Sequence, residues 1–588
     1  MRNRSLQGDM VSRLFFRLLP VQVAIVAMGS INSIVDGIVA ARCFDAATVG
    51  VIGLYYTMIR VMEATGAILL GGVSVLSGRS LGAGDQEKTR GVCSLGVAAA
   101  LSVGLLLTLV SLLAPNTLAS LLGADADLKS DLAAYAKGYA IGIVPQLLAQ
   151  QLNASLQLER QDKRGQVGVF VMIAMNVALD ILFVANMNLG VWGLALATSL
   201  ANWAYFLVLV SYYAGGKSKL TPNPFRASWK ELPEVLKTGF PNALLVFCLA
   251  ARNLVVNHIL LAYAGKDGLS ALTAYNLVCG LVLALALGTG AVVRMLTSVF
   301  IGEENRDGII TLMRTIITKA MPMGIAMAVA AVFLAPVMSS LFFPDRTSSV
   351  YDLTRQLFII NGICIPAAMA CLVVTNYCQA IGHRRFVVIA SLVDGFFSFV
   401  IPAGILAPRL GAFGVWLAFP IGLILTLLLC AAHVLITLRH WPAGWEDCLM
   451  LPEDFGKGNR IVLSIDDIGQ VTQTAERIQQ FCQSQGMSAK TAFHAGLCLE
   501  EIAGNIVRHG FGADRTPHRI DVRVVFLAEG VLLRVKDDCI PFNPEEWHDI
   551  TSPADSCANV GVRLVYGVAK EVEYRNLLGL NVLSITIA

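Results

Sequence analysis

Charge is what this chain has least of. Only 14% of its 588 residues are Asp, Glu, Lys or Arg, against about 25% in a soluble domain. A chain so poor in charge and 56% hydrophobic cannot dress its surface for water, so most of it is expected inside a bilayer. The net charge of +3 is too small for an electrostatic footprint on phosphates, so no nucleic-acid partner is expected. The 13 cysteines contain no C-x-x-C and no accompanying histidine pair, and an odd count argues against a disulfide framework. Cys364, Cys371 and Cys378 recur every seven residues on one helix face, where packing is the expectation. A phosphate-binding P-loop is missing too. Its nearest echo, Gly82 to Thr89, has Glu87 where a glycine must precede the lysine, and it follows an apolar run rather than a strand. ATP hydrolysis of the ABC type is therefore not the expected motor. Arg2, Arg4, Arg13 and Arg17 precede or enter an apolar run far longer than a signal-peptide core, so that run is expected to be retained.

What is there is a series of long apolar runs. Roughly 20 apolar residues cross a bilayer core as a helix, and the first run, 15–41, is long enough. Others follow at 49–71, 91–114, 131–157, 165–185 and 189–213. A polar break then brings Lys217, Lys219, Arg226 and Lys230, with prolines from Pro222 to Pro233. Six more runs follow at 235–263, 269–300, 311–341, 352–381, 385–407 and 412–438, making about twelve. Lysine and arginine gather after the second, fourth, sixth and tenth runs, at Arg79/Lys88/Arg90, Arg160/Lys163/Arg164, the basic break and Arg384/Arg385. The positive-inside bias then predicts a multi-pass protein of the cell (inner) membrane with both ends cytoplasmic. The loop GEENRDG after the eighth run breaks that pattern.

The two sets of six repeat. Pro241 follows Pro20 by 221 residues, and the same offset relates Pro145 to Pro366, Lys163-Arg164 to Arg384-Arg385 and Gly190/Gly193 to Gly411/Gly414. Gly72 and Gly84-Asp85 match Gly290 and Gly302-Glu303 at an offset of 218. An even number of spans gives both halves the same orientation, with a path between them, as in alternating-access transporters. The expected division is 1–214 for one six-helix lobe, 215–234 for a cytoplasmic loop, 235–438 for the second lobe and 439–459 for a linker, with 460–588 as a further domain.

Charges inside such runs are functional candidates. Asp36 lies in the first; the offset pairs it with Asn257, so the carboxylate belongs to one lobe. Asn176 and Asp180, four apart, share a helix face in the fifth run, and Thr198 lies about 14 Å into the sixth. Two carboxylates with amide and hydroxyl oxygens suit Na⁺, a hard cation; the same pair in a low dielectric would equally hold H⁺. Arg60 and Glu63, three apart, are expected to neutralise each other. Arg252, Arg294 and Asp394 are candidates for lining the cavity, with Lys137 and His258 as lesser ones.

The segments LP…IVDGIVAARCF and GG…GRSLGAGD, with the two-lobe repeat, resemble the multidrug and toxic compound extrusion (MATE) family across about three quarters of the chain. The set Asp36, Asn176, Asp180 and Thr198 resembles the cation site in the first lobe of one branch of that family. The resemblance implies export of organic, amphipathic or cationic small molecules in exchange for inward H⁺ or Na⁺.

Beyond Arg439 the composition turns soluble. IVLSI, RIDVRVVFLA, VLLRVKDD, 571–576 and NVLSITIA read as strands, and 471–485 and 487–509 as amphipathic helices. Glu501, Asn505 and His509 follow at four-residue spacing; an Asn oxygen can ligate Mg²⁺ and a Glu one turn away can activate a hydroxyl. Asp537 ends a strand, and Gly561 and Arg563 open a helix where amides can meet phosphate. E-x-x-x-N-x-x-x-H-G, DD-x-x-PFNP and G-V-R-L in this order resemble the ATP-binding domain of histidine kinases, gyrase and, most nearly, anti-sigma-factor serine kinases. That resemblance implies a two-layer α/β sandwich of the GHKL (Bergerat) type holding Mg-ATP. It makes Glu501 the base, Asn505 the Mg²⁺ ligand, Asp537 the adenine reader and Gly561 a phosphate contact, with His509 and Arg563 in the same site. Cys539 stands where that family usually has glycine. Three readings follow: an exporter with a nucleotide-sensing or serine-kinase tail, a receptor whose tail phosphorylates an anti-anti-sigma-like protein, and a lipid-linked sugar flippase with Arg252 and Arg294 in a cationic cavity.

Overall fold

The apolar runs become helices. The computed structural model describes residues 10–27, 30–31, 46–122, 129–159, 162–215, 218, 220–452, 455–456, 460–511, 518–527, 530–540, 543, 560–577 and 580–588. Asp36 lies outside these. The first half contains α1 (Met10–Ala27), α2 (Ala46–Ala83), α3 (Gln86–Leu113), the short α4 (Pro115–Leu121), α5 (Lys129–Leu158), α6 (Asp162–Asp180) and α7 (Gly190–Ala214). The second contains α8 (Leu232–Tyr263), α9 (Gly265–Val282), α10 (Ala284–Gly302), α11 (Arg306–Thr315), α12 (Met321–Phe342), α13 (Ser349–Ile381), α14 (Arg384–Leu392), α15 (Ser398–Leu410) and α16 (Ala412–Leu438). Among the described residues, eleven helices are long and apolar enough to cross a membrane; α5, interrupted by Lys137 and Pro145, occupies the fourth predicted run. The eighth run is two helices, broken at Leu283. Side chains such as Phe333, Leu341 and Leu113, 77%, 70% and 80% exposed, are the apolar skin such a bundle presents to lipid.

The second span is far longer than its apolar run. At 38 residues and 1.5 Å per residue, α2 is about 57 Å long, and its last turns leave the apolar layer to meet the other lobe. There the backbones nearly touch. A Cβ on Gly72 would lie 2.1 Å from Val235 O and one on Gly239 would lie 1.8 Å from Ile68 O. A turn or two further, Cβ atoms on Gly82 and Gly302 would lie 2.1 Å from Val299 O and 2.0 Å from Arg79 O. Membrane helices approach this closely only through glycine and similarly small residues. Arg79 Nε also donates across the seam to Ala380 O at 3.2 Å. The two lobes are thus sealed at the end where α2 and α10 finish. Gly239→Val is expected to force α8 off α2 and open that end. Hydrogen exchange of 68–83 should then rise at least tenfold, and unchanged protection would refute the seal.

The C-terminal domain is a five-stranded antiparallel sheet in the order β1-β2-β3-β5-β4. Its strands are β1 (Arg460–Ile465), β2 (Ile520–Leu527), β3 (Gly530–Asp537), β4 (Glu571–Leu577) and β5 (Leu580–Ile587). One face buries Val522, Val524, Leu533, Val535 and Ile585 against α17 (Gly469–Ser484), α18 (Ala489–Gly510) and α19 (Val560–Val568). Side chains alternate across a strand, so the other face carries Arg523, Arg534 and Lys536. That basic face rests on the sealed end of the bundle.

Candidate functional site

Asn176 and Asp180 lie one turn apart on α6, both 0% exposed. Asn176 Nδ2 donates to Asp180 Oδ2 at 3.1 Å. Directly after Asp180 the helix widens into a π-helical stretch, Ile181–Asn186. Such insertions recur at functional sites because they free a helix from its regular register. Thr198, half-buried on the neighbouring α7, donates to Leu194 O at 3.3 Å. The structure therefore brings Asn176 and Asp180 together, with Thr198 on α7, the helix packed against α6, bonded within its own helix, while Asp36 falls outside the described residues. An ionised carboxylate removed from water is costly unless paired or hydrogen-bonded.

In the second lobe Asp394 sits in another π-helical stretch, Val393–Phe397. Its Oδ1 accepts from Thr426 Oγ1 at 3.2 Å, and its charge interacts with that of Arg252. Arg252 also stacks over Phe399, 5.1 Å from the ring centre. Arg294 instead lies in the α10–α13 seam, donating to Asn376 Oδ1 at 3.2 Å. Arg60 and Glu63 form the expected pair at 2.6 Å. Thr426 carried no mark in the sequence, since a threonine in an apolar helix is commonplace.

In the tail, Asp537 is buried at the end of β3. Its Oδ1 accepts from Asn581 Nδ2 at 2.8 Å and from the Cys539 amide at 3.0 Å, and the Cys539 thiol bonds the same carboxyl. Register explains Asn581, which sits opposite Asp537 on β5; only strand pairing could have identified it. The Cys539 side chain is buried against Gly510 at the end of α18, where an added Cβ would meet it at 2.9 Å. Glu501 Oε2 lies 2.0 Å from where a Cβ on Gly561 would be, so the carboxylate reaches the start of α19, and any larger residue there would push it aside. Asn505 and Arg563 are half-buried and His509 is exposed, all on α18 or α19.

Burial pushes the Asp537 carboxyl up to about 6, against the opposing hydrogen bonds of Asn581 and Cys539. A proton held more tightly folded than unfolded stabilises the domain below the ordinary carboxylate range. That stabilisation is lost as pH rises through about 6. Accepting a bond from an amino group has the opposite sign, because it needs the carboxylate. Adenine-nucleotide affinity should therefore fall as pH drops below about 6, and Asp537→Asn should weaken it roughly 10- to 100-fold, the worth of a charged hydrogen bond. Calorimetric titration of the purified chain at pH 5 and pH 7.5 checks both.

The tail and the bundle meet through specific bonds. Lys536 Nζ reaches both oxygens of Glu303, at 3.0 and 3.1 Å, with Lys536 9% and Glu303 7% exposed. Arg523 donates to the Glu303 and Glu304 carbonyls. These residues belong to the loop after α10. At the equivalent turn of the first half, between α2 and α3, Gln86 opens α3 and its Nε2 donates to Glu573 Oε1 at 2.8 Å. Beside it Arg575 crowds Gly84, whose φ is +92°. Arg13 of α1 pairs with Asp538 at 2.7 Å, one residue from Asp537. Of this set the sequence showed only the acidic loop GEENRDG, as an exception to the charge rule.

The MatE family profile matches residues 23–184 and 240–403, together more than half of the chain, and that of the Histidine kinase-like ATPase domain matches 466–587. The chain is similar to the multidrug export protein MepA of Staphylococcus saprophyticus, 26% identical over 243 residues that cover 40% of this chain and 54% of that protein. It is 24% identical to MepA of Staphylococcus aureus over 389 residues, covering 63% of this chain and 82% of that one. It thus spans about half the length of the first relative and most of the second. Two solved structures share the fold at a TM-score of 0.66. One is a multidrug resistance MATE family transporter in an outward-facing conformation, 20% identical, covering 71% of this chain and 94% of that one. The other is a MOP superfamily transporter from Pyrococcus furiosus, 19% identical, covering 73% and 97%. With the two halves matched in turn, and a repeated helical bundle already in place around them, the chain belongs to the MatE family and carries a histidine kinase-like ATPase domain at its C-terminal end.

Proposed function

We propose that the chain exports organic, amphipathic or cationic molecules across the cell membrane in exchange for H⁺ or Na⁺, under the control of its nucleotide-binding tail. The observation that carries the exchange reading is the fully buried Asn176–Asp180 pair beside a π-helical turn. A carboxylate so placed accepts a cation from one side, and its neutralisation lets the lobes re-pack toward the other. Reconstituted vesicles loaded with a cationic dye test it. An imposed Na⁺ or H⁺ gradient alone, without nucleotide, should drive dye movement. Movement that needs ATP hydrolysis and ignores both gradients would overturn the reading. Arg252 is matched by Asp394, and Arg294 by Asn376. Only the first of these partners carries a countercharge, and that neutralised arginine favours an exporter of cations over a flippase with a cationic cavity.

The tail would hold Mg-ATP, with Asn505 toward the metal, Asp537 toward adenine, and Gly561 and Arg563 toward phosphate; bound Mg²⁺ would neutralise phosphate charge. Glu501 would take a proton from a hydroxyl. Regulation is the role supported by the docking, because the tail touches both halves at their sealed end. The lobes part at that end only if the tail lets go of one of them. Lys536 and Asp537 are neighbours on β3 and point to opposite faces, so occupancy of the pocket and grip on Glu303 share one strand.

A further inference from the structure

We propose that the second lobe carries a transition-metal site suited to Zn²⁺, formed by Cys378, His383 and His433 where α13 and α16 end beside the tail. The two histidines are 50 residues apart in the chain, and their ring nitrogens, His383 Nδ1 and His433 Nε2, stand 2.9 Å apart. The Cys378 thiol joins them in a group whose ligand atoms all lie within 4.8 Å of one another.

The local fold explains the convergence. Gly382 ends α13 at φ 95°, a left-handed conformation that glycine adopts without strain. The amides of Gly382 and His383 both return to Cys378 O, at 3.1 and 2.9 Å. That turn folds His383 back over the helical turn that carries Cys378. His433 arrives from α16, its ring stacked on Phe386 with centroids 4.0 Å apart and planes 9° apart. Stacking holds the imidazole by its face, so its Nε2, now hydrogen-bonded to His383 Nδ1, lies at the edge turned to the other two ligands.

The chemistry selects the ion. A thiol and two imidazoles suit a borderline-soft cation and not Na⁺, Mg²⁺ or Ca²⁺, which take oxygen. Tetrahedral zinc has bonds of about 2.0–2.1 Å to nitrogen and about 2.3 Å to sulfur, which sets ligand atoms roughly 3.3–3.6 Å apart; the two nitrogens, 2.9 Å apart, would spread slightly, and the sulfur, within 4.8 Å of both, would draw in. On binding, the Cys378 thiol gives its proton to solvent, and whichever ring donates the hydrogen bond between the two histidines loses that proton to solvent and takes one up on its other nitrogen, so that both imidazoles stay neutral and coordinate through the nitrogens that now face each other. Cys378 is 0% exposed while both histidines are half-buried, so the ion enters from their side. The site lies under a contact between lobes, since Ala380, whose carbonyl accepts from Arg79, is on the same last turn as Cys378. Bound zinc would hold that turn in the shape the seal requires.

The full chain, purified in detergent, stripped with chelator and re-exposed to Zn²⁺, should retain one zinc per molecule by mass spectrometry. Cys378→Ser and His433→Gln should each lose it, and Cys448→Ser, which removes an exposed thiol elsewhere, should not. Co²⁺ in place of Zn²⁺ should give a thiolate-to-cobalt absorption band in the unaltered chain, a readout that needs no variant to fold. Two outcomes would overturn the proposal. One is that wild type retains no more zinc than the Cys378→Ser/His433→Gln double variant. The other is a cobalt spectrum with no thiolate band. Either means that the two rings share a hydrogen bond and nothing more.

Discussion

Asp180→Asn should abolish gradient-driven export while leaving the chain folded. The substitution keeps size and shape and removes the only ionisable group of the described pair. An amide at 180 can still meet Asn176 through its oxygen, so packing around α6 is preserved. What is lost is the difference between a charged and a neutralised state, which is what an ion gradient acts on. Coupling free energies of about 1–3 kcal/mol correspond to roughly 5- to 150-fold effects, and loss of the coupling group should remove the whole of it. Dye accumulation by vesicles with an imposed gradient should fall to the level of empty vesicles, while dye binding measured by fluorescence stays within about twofold of wild type, coupling and binding being separate free energies. Full gradient-driven transport by Asp180→Asn would place the coupling site elsewhere.

Reversing Lys536 to Glu should release the tail. Lys536 and Glu303 are both nearly buried. Breaking such a pair typically costs about 3–5 kcal/mol, because the remaining charge is left without a partner. Here two carboxylates would face each other beside Phe300, whose ring lies 5.7 Å from the lysine nitrogen. Hydrogen exchange in the 301–307 loop and on β3 should rise steeply, and transport should lose its response to adenine nucleotide. Glu303→Lys alone should do the same. The double exchange, Lys536→Glu with Glu303→Lys, should restore much of both, since it rebuilds an opposite pair in the same place. If the double variant behaved no better than either single one, the pair would not be what couples the tail to the bundle.

How much of this was readable beforehand follows from what determines each feature. Spans follow from apolar length, so the runs were found; their ends were not, because α2 continues past Gly71 through residues whose reason for being helical is contact with the other lobe. The break at Leu283 is a tertiary feature inside a run that is apolar throughout. Asn176 and Asp180 were readable because four residues is one helical turn. The histidine pair, Asn581 and Thr426 were not, because each meets its partner only through packing of distant segments. GEENRDG was read as an anomaly of orientation. Its acidity answers instead to Lys536 and Arg523, more than 200 residues downstream.

The linker between Leu438 and Arg460 is short, and it is pinned to the bundle by Tyr377 to Leu449 O at 2.6 Å and by Arg306 to Pro452 O at 3.0 Å. Tethering of this kind raises the effective concentration of one surface at the other to the millimolar range. An attraction too feeble to join two separate proteins at cellular abundance is then close to saturation within one polypeptide. Under the proposed control by the tail, a bound small molecule would undo that attachment one polypeptide at a time, and the response would follow ligand level and not how many copies of the protein a cell makes.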